Sequence, residues 1–231
     1  MMKVAIITDQ HFGARKNSKL FHDYFLKFYN DVFFPYLEEH GITTVVDMGD
    51  TFDSRKGVDF SALAWAKNNY YDRLKDMGIL VHTIVGNHTA YYKNTNDVNA
   101  VDLLLREYDN VTVYSEAKEV VIDKLKVLFI PWINKENEES TFKFIKNTNC
   151  KCAMGHLNSM DLELIEDASW TMVMQANYIQ SSPRSSPVTI TLDRMMDESI
   201  TWAIPMRCSG TMLMTKEDLP SLIQKLLNIF M

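Results

Sequence analysis

Residues 43–53 read Thr-Thr-Val-Val-Asp-Met-Gly-Asp-Thr-Phe-Asp. A strand-forming run leads directly into a carboxylate-rich turn, which is typical of a buried strand with polar side chains at its end. Residues 3–11 repeat the pattern as Lys-Val-Ala-Ile-Ile-Thr followed by Asp-Gln-His, and residues 79–88 as Ile-Leu-Val-His-Thr-Ile-Val followed by Gly-Asn-His. Residues 152–156 give a fourth case, Cys-Ala-Met followed by Gly-His. Strands that end in polar, metal-capable residues are therefore the recurring unit of this sequence.

Amphipathic segments separate these strands. Residues 19–40 and 60–77 carry apolar side chains at helical spacing, and glycines, Gly41 and Gly78, close them. The alternation of strand and helix favours an α/β fold, a sheet with helical cover. Ligands of such sheets bind beyond the carboxyl ends of the strands. The polar strand ends are therefore predicted to form one functional site.

Net charge and cysteine content limit the functions that the chain can have. The chain has 231 residues and a formal net charge of −6, so any binding to nucleic acid has to be local rather than driven by bulk positive charge. An acidic balance suits an enzyme that holds divalent cations with carboxylates. Three cysteines make a poor disulfide framework, and neither a signal peptide nor an apolar run of roughly 18 residues is present. The expectation is a cytoplasmic protein that does not enter a membrane.

Carboxylate, imidazole and amide side chains follow the predicted strands. Hard divalent cations prefer carboxylate and amide oxygens, and imidazole shifts the preference toward manganese, iron or zinc. Two neighbouring cations need a bridging carboxylate, and Asp50 lies at the centre of the set. A histidine beside the ions could protonate a leaving oxygen. The candidate residues are Asp9, His11, Asp50, Asp53, Asn87, His88 and His156.

Four motifs resemble those of the calcineurin-like metallophosphoesterases. Residues 9–11 match that family's D-x-H, 49–53 its G-D-x-x-D, 86–88 its G-N-H and 155–156 its later G-H. Within the superfamily, the sequence is most similar to the SbcD-type nuclease subunits, particularly those of tailed phages, over about residues 2–157. Each motif alone is weak, but all four occur in order and each lies at a predicted strand end.

The resemblance implies a four-layer α/β/β/α head over residues 1–157, incomplete at its C-terminal side, and a non-family tail over residues 158–231. It implies a metal-dependent DNA exo- and endonuclease of recombination, repair or replication. Two divalent ions, manganese or otherwise magnesium, would be its cofactors. Its partners would be DNA and an SMC-like ATPase subunit, and a homodimer is compatible with it. A phage-encoded protein of this kind would work in the host cytoplasm.

The resemblance also assigns roles to single residues. His88 would be the acid or the stabiliser of the transition state. Arg55 and Asp53 are candidates for contacting substrate, with solvated surface as the alternative for Arg55 and a capping or supporting role as the alternative for Asp53. The ligands would be Asp9, His11 and Asp50 for one ion, and Asp50, Asn87 and His156 for the other.

Other residues have plainer interpretations. His22, His40 and His82 are interpreted as structural or surface histidines. Tyr91 and Tyr92 could stack on nucleic-acid bases, but core packing is the favoured interpretation.

Two features depart from the family pattern. Thr89 stands where the family usually has aspartate, which is predicted to weaken a hydrogen bond that orients His88. The family's final G-H-x-H, which supplies one ligand to each ion, has no counterpart because no histidine follows His156.

The tail is interpreted as the right gene read in the wrong frame. Residues 186–191 can be back-translated into codons that, read two bases later, spell Ser-Gly-His-Tyr-His, the missing motif. Three further stretches of the tail give family-like peptides in the same register, and Trp170 and Trp202, which allow no choice of codon, fit it. One lost base at codon 158 would explain all four. A genuine tail domain of novel sequence is the alternative.

An out-of-frame peptide carries no selected hydrophobic pattern. It is therefore predicted to be poorly ordered, to add no matched strand to the head's sheet, and to form at most a helix near residues 216–230. With two histidine ligands missing, the chain is predicted to be a poor or inactive nuclease. The other functions left open are a small-substrate phosphatase or phosphodiesterase with the same metal site, and a non-catalytic fragment.

Overall fold

The computed structural model describes residues 4–122, 124–150, 152–157 and 161, and the main chain of 172–177, 200–206 and 210–214. Within these residues, ten strands form two sheets. They are β1 (Val4–Ile7), β2 (Thr44–Asp47), β3 (Leu80–Ile84), β4 (Val111–Tyr114), β5 (Lys118–Ile122), β6 (Leu125–Ile130), β7 (Cys152–Leu157), β8 (Met172–Asn177), β9 (Ile200–Met206) and β10 (Gly210–Met214).

The first sheet has the strand order β10-β9-β1-β2-β3-β4, and the second has the order β5-β6-β7-β8. In the first sheet, β9, β1, β2, β3 and β4 are parallel, so their carboxyl ends lie along one edge. In the second, β6, β7 and β8 are parallel and β5 is antiparallel. Each carboxyl-end loop of β1, β2 and β3 carries one of the sequence motifs.

The two long helical stretches lie where the apolar spacing predicts them. The first helical stretch of the head consists of the helix Lys19–Phe28, a π-helical turn at Tyr29–Phe33, and the helix Phe34–Glu39. The second consists of the helix Phe60–Ala66, a π-helical turn at Lys67–Tyr71, and the helix Asp72–Asp76. Two further helices span Ala100–Leu105 and Glu138–Asn147. Glycines with positive φ follow the first two stretches, at Gly41 and Gly78, as the sequence predicts. Among these described helices, none has both the length and the apolar character that a bilayer crossing needs.

Three apolar clusters show the layering. One packs the two long helical stretches against the first sheet, through side chains such as Phe28, Leu74 and Val45. A second lies between the sheets, where Val46 of β2 is in the same cluster as Phe129 of β6. A third packs Glu138–Asn147 against the outer face of the second sheet. The order of layers is therefore helix, sheet, sheet, helix, and the predicted α/β/β/α architecture is confirmed.

The prediction that no strand beyond residue 157 joins the sheets of the head was wrong. β8 pairs with β7 over six residues, β9 pairs with β1, and β10 pairs with β9, so both sheets are extended by strands that the sequence did not indicate. The physical reason is that pairing is made by main-chain N–H and C=O groups, which any non-proline residue offers to an open sheet edge. Because such pairing does not depend on side chains, the interpretation of the tail as an out-of-frame peptide stays a prediction. The helix predicted near residues 216–230 lies outside the described residues.

Candidate metal centre

The loops after β1 and β2 are joined by main-chain hydrogen bonds. The Asp9 N–H donates to the Gly49 carbonyl at 3.0 Å, and the His11 N–H donates to the Asp50 carbonyl at 2.9 Å. Phe12 and Thr51 continue the pairing at 2.8 Å. The D-x-H and G-D-x-x-D motifs are therefore held in one register by backbone contacts.

Three candidate ligands have a strained backbone. Asp9, His11 and Asp50 have φ values of 53°, 46° and 52°, in the left-handed region that residues with a Cβ rarely adopt. Such strain persists only where the surrounding structure enforces it, and it concentrates at functional sites. Here the paired loops enforce it, and it directs three candidate side chains into one site.

The first group of candidate ligands consists of Asp9, His11 and Asp50. One ligand atom from each lies within 4.8 Å of the others. The His11 Nε2 is 3.6 Å from an Asp9 oxygen and 4.0 Å from the Asp50 Oδ2. One carboxylate oxygen of Asp9 and one of Asp50 therefore lie close enough together to bind the same ion.

The second group approaches Asp50 from the other sheet. Alternation along β7 puts His156 on the same face as Met154, which belongs to the cluster between the sheets. The fully buried His156 ring lies 3.4 Å from the Asp50 Oδ2 and 2.9 Å from the Asn87 Oδ1 through its Nε2. Its Nδ1 donates to the Met48 carbonyl at 3.0 Å. Asp50 is thus the residue shared by the two groups.

His88 and Asp53 border both groups. The His88 backbone N–H donates to the Asp50 Oδ1 at 2.7 Å, and its ring Nδ1 donates to the Asp53 carbonyl at 2.8 Å. The Asp53 carboxylate is 3.3 Å from the His11 Nδ1. Asp53 therefore orients both His11 and His88, while the ring of His88 meets the His11 ring edge-on at 4.9 Å.

Opposite charges in this site shift one another's pKa values. Burial disfavours a charged ring, but the carboxylates of Asp53, Asp9 and Asp50 outweigh it and raise the pKa of His11 to about 10. Burial acts against His156 in the same way, and Asp50 outweighs it, raising the pKa of His156 to about 9. Burial alone would raise the pKa of Asp50, but the rings of His156, His11 and His88 lower it to about 2.

The donor set fits divalent cations. The Nδ1 of His156 donates to a carbonyl, so its Nε2 is the atom that faces the oxygen atoms of Asn87 and Asp50. These three atoms all carry lone pairs, and a proton or a metal ion must lie among them to bind the lone pairs. A cation can replace that proton because both remove the repulsion between the lone pairs. The mixture of carboxylate, amide and imidazole donors is one that manganese or iron accepts.

Asp47 and Gln10 form a buried network that the sequence analysis missed. The Asp47 Oδ1 accepts from the Gly49 N–H at 3.1 Å, and its Oδ2 accepts from Thr51 at 2.9 Å and from the Gln10 amide at 3.0 Å. The Tyr29 hydroxyl donates to the Gln10 Oε1 at 2.5 Å. This network joins the D-x-H loop to the G-D-x-x-D loop. The only sequence signal was a carboxylate at the last position of a buried strand.

The Asp47 network predicts a stability that depends on pH. Burial raises the pKa of the Asp47 carboxyl from 3.8 to about 7, against its three hydrogen-bond donors. Between those values the folded state keeps a proton that the unfolded state has lost, so the free energy of unfolding decreases as pH rises, by as much as ~4 kcal/mol. The Asp47→Asn variant, which cannot titrate, should show a flatter profile in denaturant titrations from pH 4 to pH 8.

Other groups also titrate, so the quantity to compare is the difference between the unaltered chain and the variant. Asp76→Asn, at an exposed carboxyl group, is the matched control and should retain the original slope. Parallel profiles for the unaltered chain and Asp47→Asn would show that Asp47 titrates normally and that its burial is compensated.

The remaining candidates fall into two sets. His22 stacks on Trp65 at 4.7 Å, His40 on Tyr36 at 3.9 Å, and His82 on Tyr114 at 5.8 Å, so all three pack as the structural interpretation predicts. Arg55, Thr89, Tyr91 and Tyr92 have contacts or exposures that the sequence did not indicate.

The Arg55 guanidinium donates to the Ala90 carbonyl at 3.3 Å and lies 4.7 Å above the Trp132 ring. These contacts are made to other residues of the chain.

Thr89 exchanges hydrogen bonds with Gly86, at 2.9 and 3.1 Å, and so closes the turn that contains both residues. The ring of His88 is oriented by the Asp53 carbonyl instead. The favoured interpretation of Tyr91 as a core residue was wrong, because the side chain is 41% exposed, and Tyr92 is 51% exposed.

Comparisons with known proteins agree with this geometry. Residues 2–196 match the family described as calcineurin-like phosphoesterase. The chain is 33% identical over 155 residues to exonuclease subunit 1 of Enterobacteria phage T4; that match covers 67% of this chain but only 45% of the relative's length.

The comparison with solved structures returned a protein of unknown function from Aquifex aeolicus, with 17% identity and a TM-score of 0.43. The match covers 75% of this chain and 89% of that one. Another is the Pseudomonas putida nuclease MPE, with 21% identity, a TM-score of 0.35, and coverage of 53% of this chain and 52% of that one. The family match spans most of the sequence, includes all four motifs, and extends past the boundary expected at residue 157. The chain belongs to the calcineurin-like phosphoesterase family.

Proposed function

We propose that this chain is a metal-dependent phosphodiesterase that acts on DNA as a nuclease subunit. The observation that carries the proposal is the convergence of Asp9, His11, Asp50, Asn87 and His156 at the strand ends, with Asp50 between two groups of donors. The family is named for phosphoester hydrolysis, and a phosphodiester of DNA is favoured because the phage T4 relative is named as an exonuclease subunit.

Asp9, His11 and Asp50 would hold one divalent ion, and Asp50, Asn87 and His156 a second. Bound ions of this kind polarise a phosphodiester and make water acidic enough to act as a nucleophile. The imidazole donors favour manganese, with magnesium as the alternative. The carboxylates supply negative charge that the two cations would neutralise, so the site should select cations strongly over neutral ligands.

His88 is the proposed acid or transition-state stabiliser. Its Nδ1–H is engaged by the Asp53 carbonyl, which fixes the ring orientation and the tautomer. The second nitrogen of that ring is then the one that could donate a proton to a leaving oxygen when the ring is charged. Asp53 acts on His11 and His88 rather than on substrate, which gives it a supporting role.

We also propose the wider setting that the resemblance implies. The relative is named as a subunit, so a partner is expected, and an SMC-like ATPase is the proposed one. Roles in recombination, repair or replication, a cytoplasmic location, and a homodimer belong to the same proposal.

The test compares two substrates with manganese, with magnesium, and with chelator. Linear DNA and bis(4-nitrophenyl) phosphate should both be hydrolysed only with metal, and DNA with the higher specificity constant. Hydrolysis of the aryl diester alone would favour the small-substrate phosphodiesterase. Absence of metal-dependent turnover on both, with manganese binding retained in calorimetry, would favour the non-catalytic fragment.

The absence of the G-H-x-H histidine pair allows a further comparison, between the chain as written and a chain with the reading frame restored. A chain with one base restored at codon 158 should cut DNA faster than the chain as written, because each ion would regain an imidazole ligand. Equal rates would show that the tail of the written chain supplies what the G-H-x-H pair was expected to supply.

A further inference from the structure

The loop of residues 91–98 begins three residues after His88. It is closed at its base by a bridge between Ala90 and Asn99, and by a hydrogen bond from the Tyr91 N–H to the Val98 carbonyl at 2.9 Å. A further bond joins Ala100 to Thr89, in the turn that carries the G-N-H motif. Whatever this loop binds is therefore held next to the candidate metal centre.

Buried hydrogen bonds fix the conformation of the loop. The amide of Asn96 donates to the carbonyls of Ser115 and Trp132, at 3.1 and 2.9 Å, and its oxygen accepts from Asn134 at 3.1 Å. Asn96 is only 5% exposed, so these bonds are shielded from water. The loop is thus a preorganised element, and binding to it need not order it first.

Arg55 braces the exposed end of the same loop. Its guanidinium donates to the carbonyls of Ala90 and Tyr92, at 3.3 and 3.5 Å, while stacking over Trp132. These contacts hold the main chain at Ala90 and Tyr92, on either side of Tyr91. The rings of Tyr91 and Tyr92, which we call the Tyr ledge, meet at 4.8 Å and 81° and remain 41% and 51% exposed.

Rigid, half-exposed aromatic rings suit stacking on nucleobases. Every base has a π face, but only an unpaired base offers that face to a side chain. Stacking needs no positive charge, which matters for a chain whose net charge is −6. Lys93, exposed and next in sequence, adds one cation for a neighbouring phosphate.

We propose that the Tyr ledge stacks on unpaired bases of a DNA strand whose phosphodiester reaches the candidate metal centre. The proposal rests on the proposed function and adds to it the form of the substrate, a single strand or a frayed end. Arg55 acts in it as a brace for the ledge and not as a phosphate contact.

The test is binding of a fluorescein-labelled dT12 single strand by anisotropy, in chelator, so that cleavage does not intervene. Tyr91→Ala and Tyr92→Ala should each raise the Kd on the order of tenfold. Tyr91→Phe and Tyr92→Phe should restore binding, because the π face is kept. Leu103→Ala removes an apolar side chain of similar exposure, 55%, and should leave the Kd unchanged.

Salt dependence separates stacking from charge. Both Tyr→Ala variants should keep the slope of log Kd against log salt, whereas Lys93→Ala should reduce it by about 0.7. A blunt-ended duplex of two annealed complementary strands should bind with the same Kd to the unaltered chain and to the Tyr variants. Unchanged dT12 affinity in the Tyr→Ala variants, or no dT12 binding by the unaltered chain, would overturn the proposal.

The proposed function is tested separately by hydrolysis of the aryl phosphodiester by the unaltered chain with manganese. If that hydrolysis is absent while the Tyr ledge binds dT12 as described, the phosphodiesterase proposal is wrong and the proposal of base stacking on the Tyr ledge is supported. If hydrolysis occurs and the Tyr→Ala variants bind dT12 with unchanged Kd, the proposal of base stacking on the Tyr ledge is wrong and the phosphodiesterase proposal is supported.

Discussion

Replacing Asp50 with asparagine is expected to abolish manganese binding and to lower metal-dependent phosphodiester hydrolysis at least roughly a thousandfold. Asp50 is the residue common to both groups of donors, and its side chain is 2% exposed. Asparagine has nearly the same shape and can still accept from the His88 N–H, which now donates to the Asp50 Oδ1 at 2.7 Å. The variant therefore removes the negative charge while keeping the packing. Calorimetric titration with manganese and the aryl diester assay measure the two losses.

The same variant has a readout that needs neither metal nor activity. The pKa of His156 is about 9 because Asp50 outweighs the effect of burial. Without that carboxylate, burial dominates, and NMR titration of the metal-free protein should show the pKa of His156 falling below its ordinary value of 6.5. Asp31→Asn, at an exposed carboxyl group, is the control and should change neither property. Wild-type hydrolysis by Asp50→Asn would contradict the assignment of Asp50 as the shared ligand.

The strand ends were predictable because two local signals coincide there. A short apolar run marks a buried strand, and a polar residue after it marks the carboxyl end, where parallel strands place their loops together. Asp9, Asp50 and Asn87 were all found in this way. Each is determined by its immediate neighbours in sequence, so no knowledge of distant contacts was needed.

Residues whose roles depend on distant partners were missed or misread. Asp47 acts through Gln10, 37 residues away, and no periodic pattern shows that two buried polar groups will meet. For Arg55 the sequence left a substrate contact and solvated surface both open, because nothing near it in sequence shows that its guanidinium lies over the Trp132 ring. Core packing was favoured over base stacking for Tyr92, but the side chain is 51% exposed, on a loop whose conformation Asn96 fixes by a hydrogen bond to the distant Trp132 carbonyl.

The strands after residue 157 were missed for a different reason. Sequence patterns report which side chains are buried, whereas an open sheet edge offers main-chain groups to any extended segment. β9 even contains Pro205, which has no N–H to donate and which opposes Thr211 in the pairing with β10. A strand of this kind is defined by the edge it joins, and its own sequence gives little sign of it.

Replacing Gly86 with alanine is expected to displace Asp50 and thereby remove both metal binding and several degrees of thermal stability. A Cβ on Gly86 would overlap the Oδ1 and the backbone nitrogen of Asp50 and would lie 3.0 Å from its Cγ. The backbone nitrogen cannot move aside freely, because the Asp50 loop is hydrogen-bonded to the D-x-H loop through His11. Overpacking of this kind typically costs about 1–3 kcal/mol, which lowers the Tm of a chain of this size by roughly 3–10 °C.

The matched control for Gly86→Ala is Gly57→Ala, because a Cβ there meets no atom within 4 Å among the described residues. It should leave the Tm unchanged or slightly higher, since alanine restricts the unfolded chain. Differential scanning calorimetry with and without manganese distinguishes the two effects of Gly86→Ala. The metal-free Tm reports the steric overlap, and the rise in Tm on adding manganese reports how well the metal centre still binds. A normal manganese-induced rise in Gly86→Ala would show that Asp50 can shift without loss of binding, and the close approach of Gly86 to Asp50 would then have no part in forming the centre.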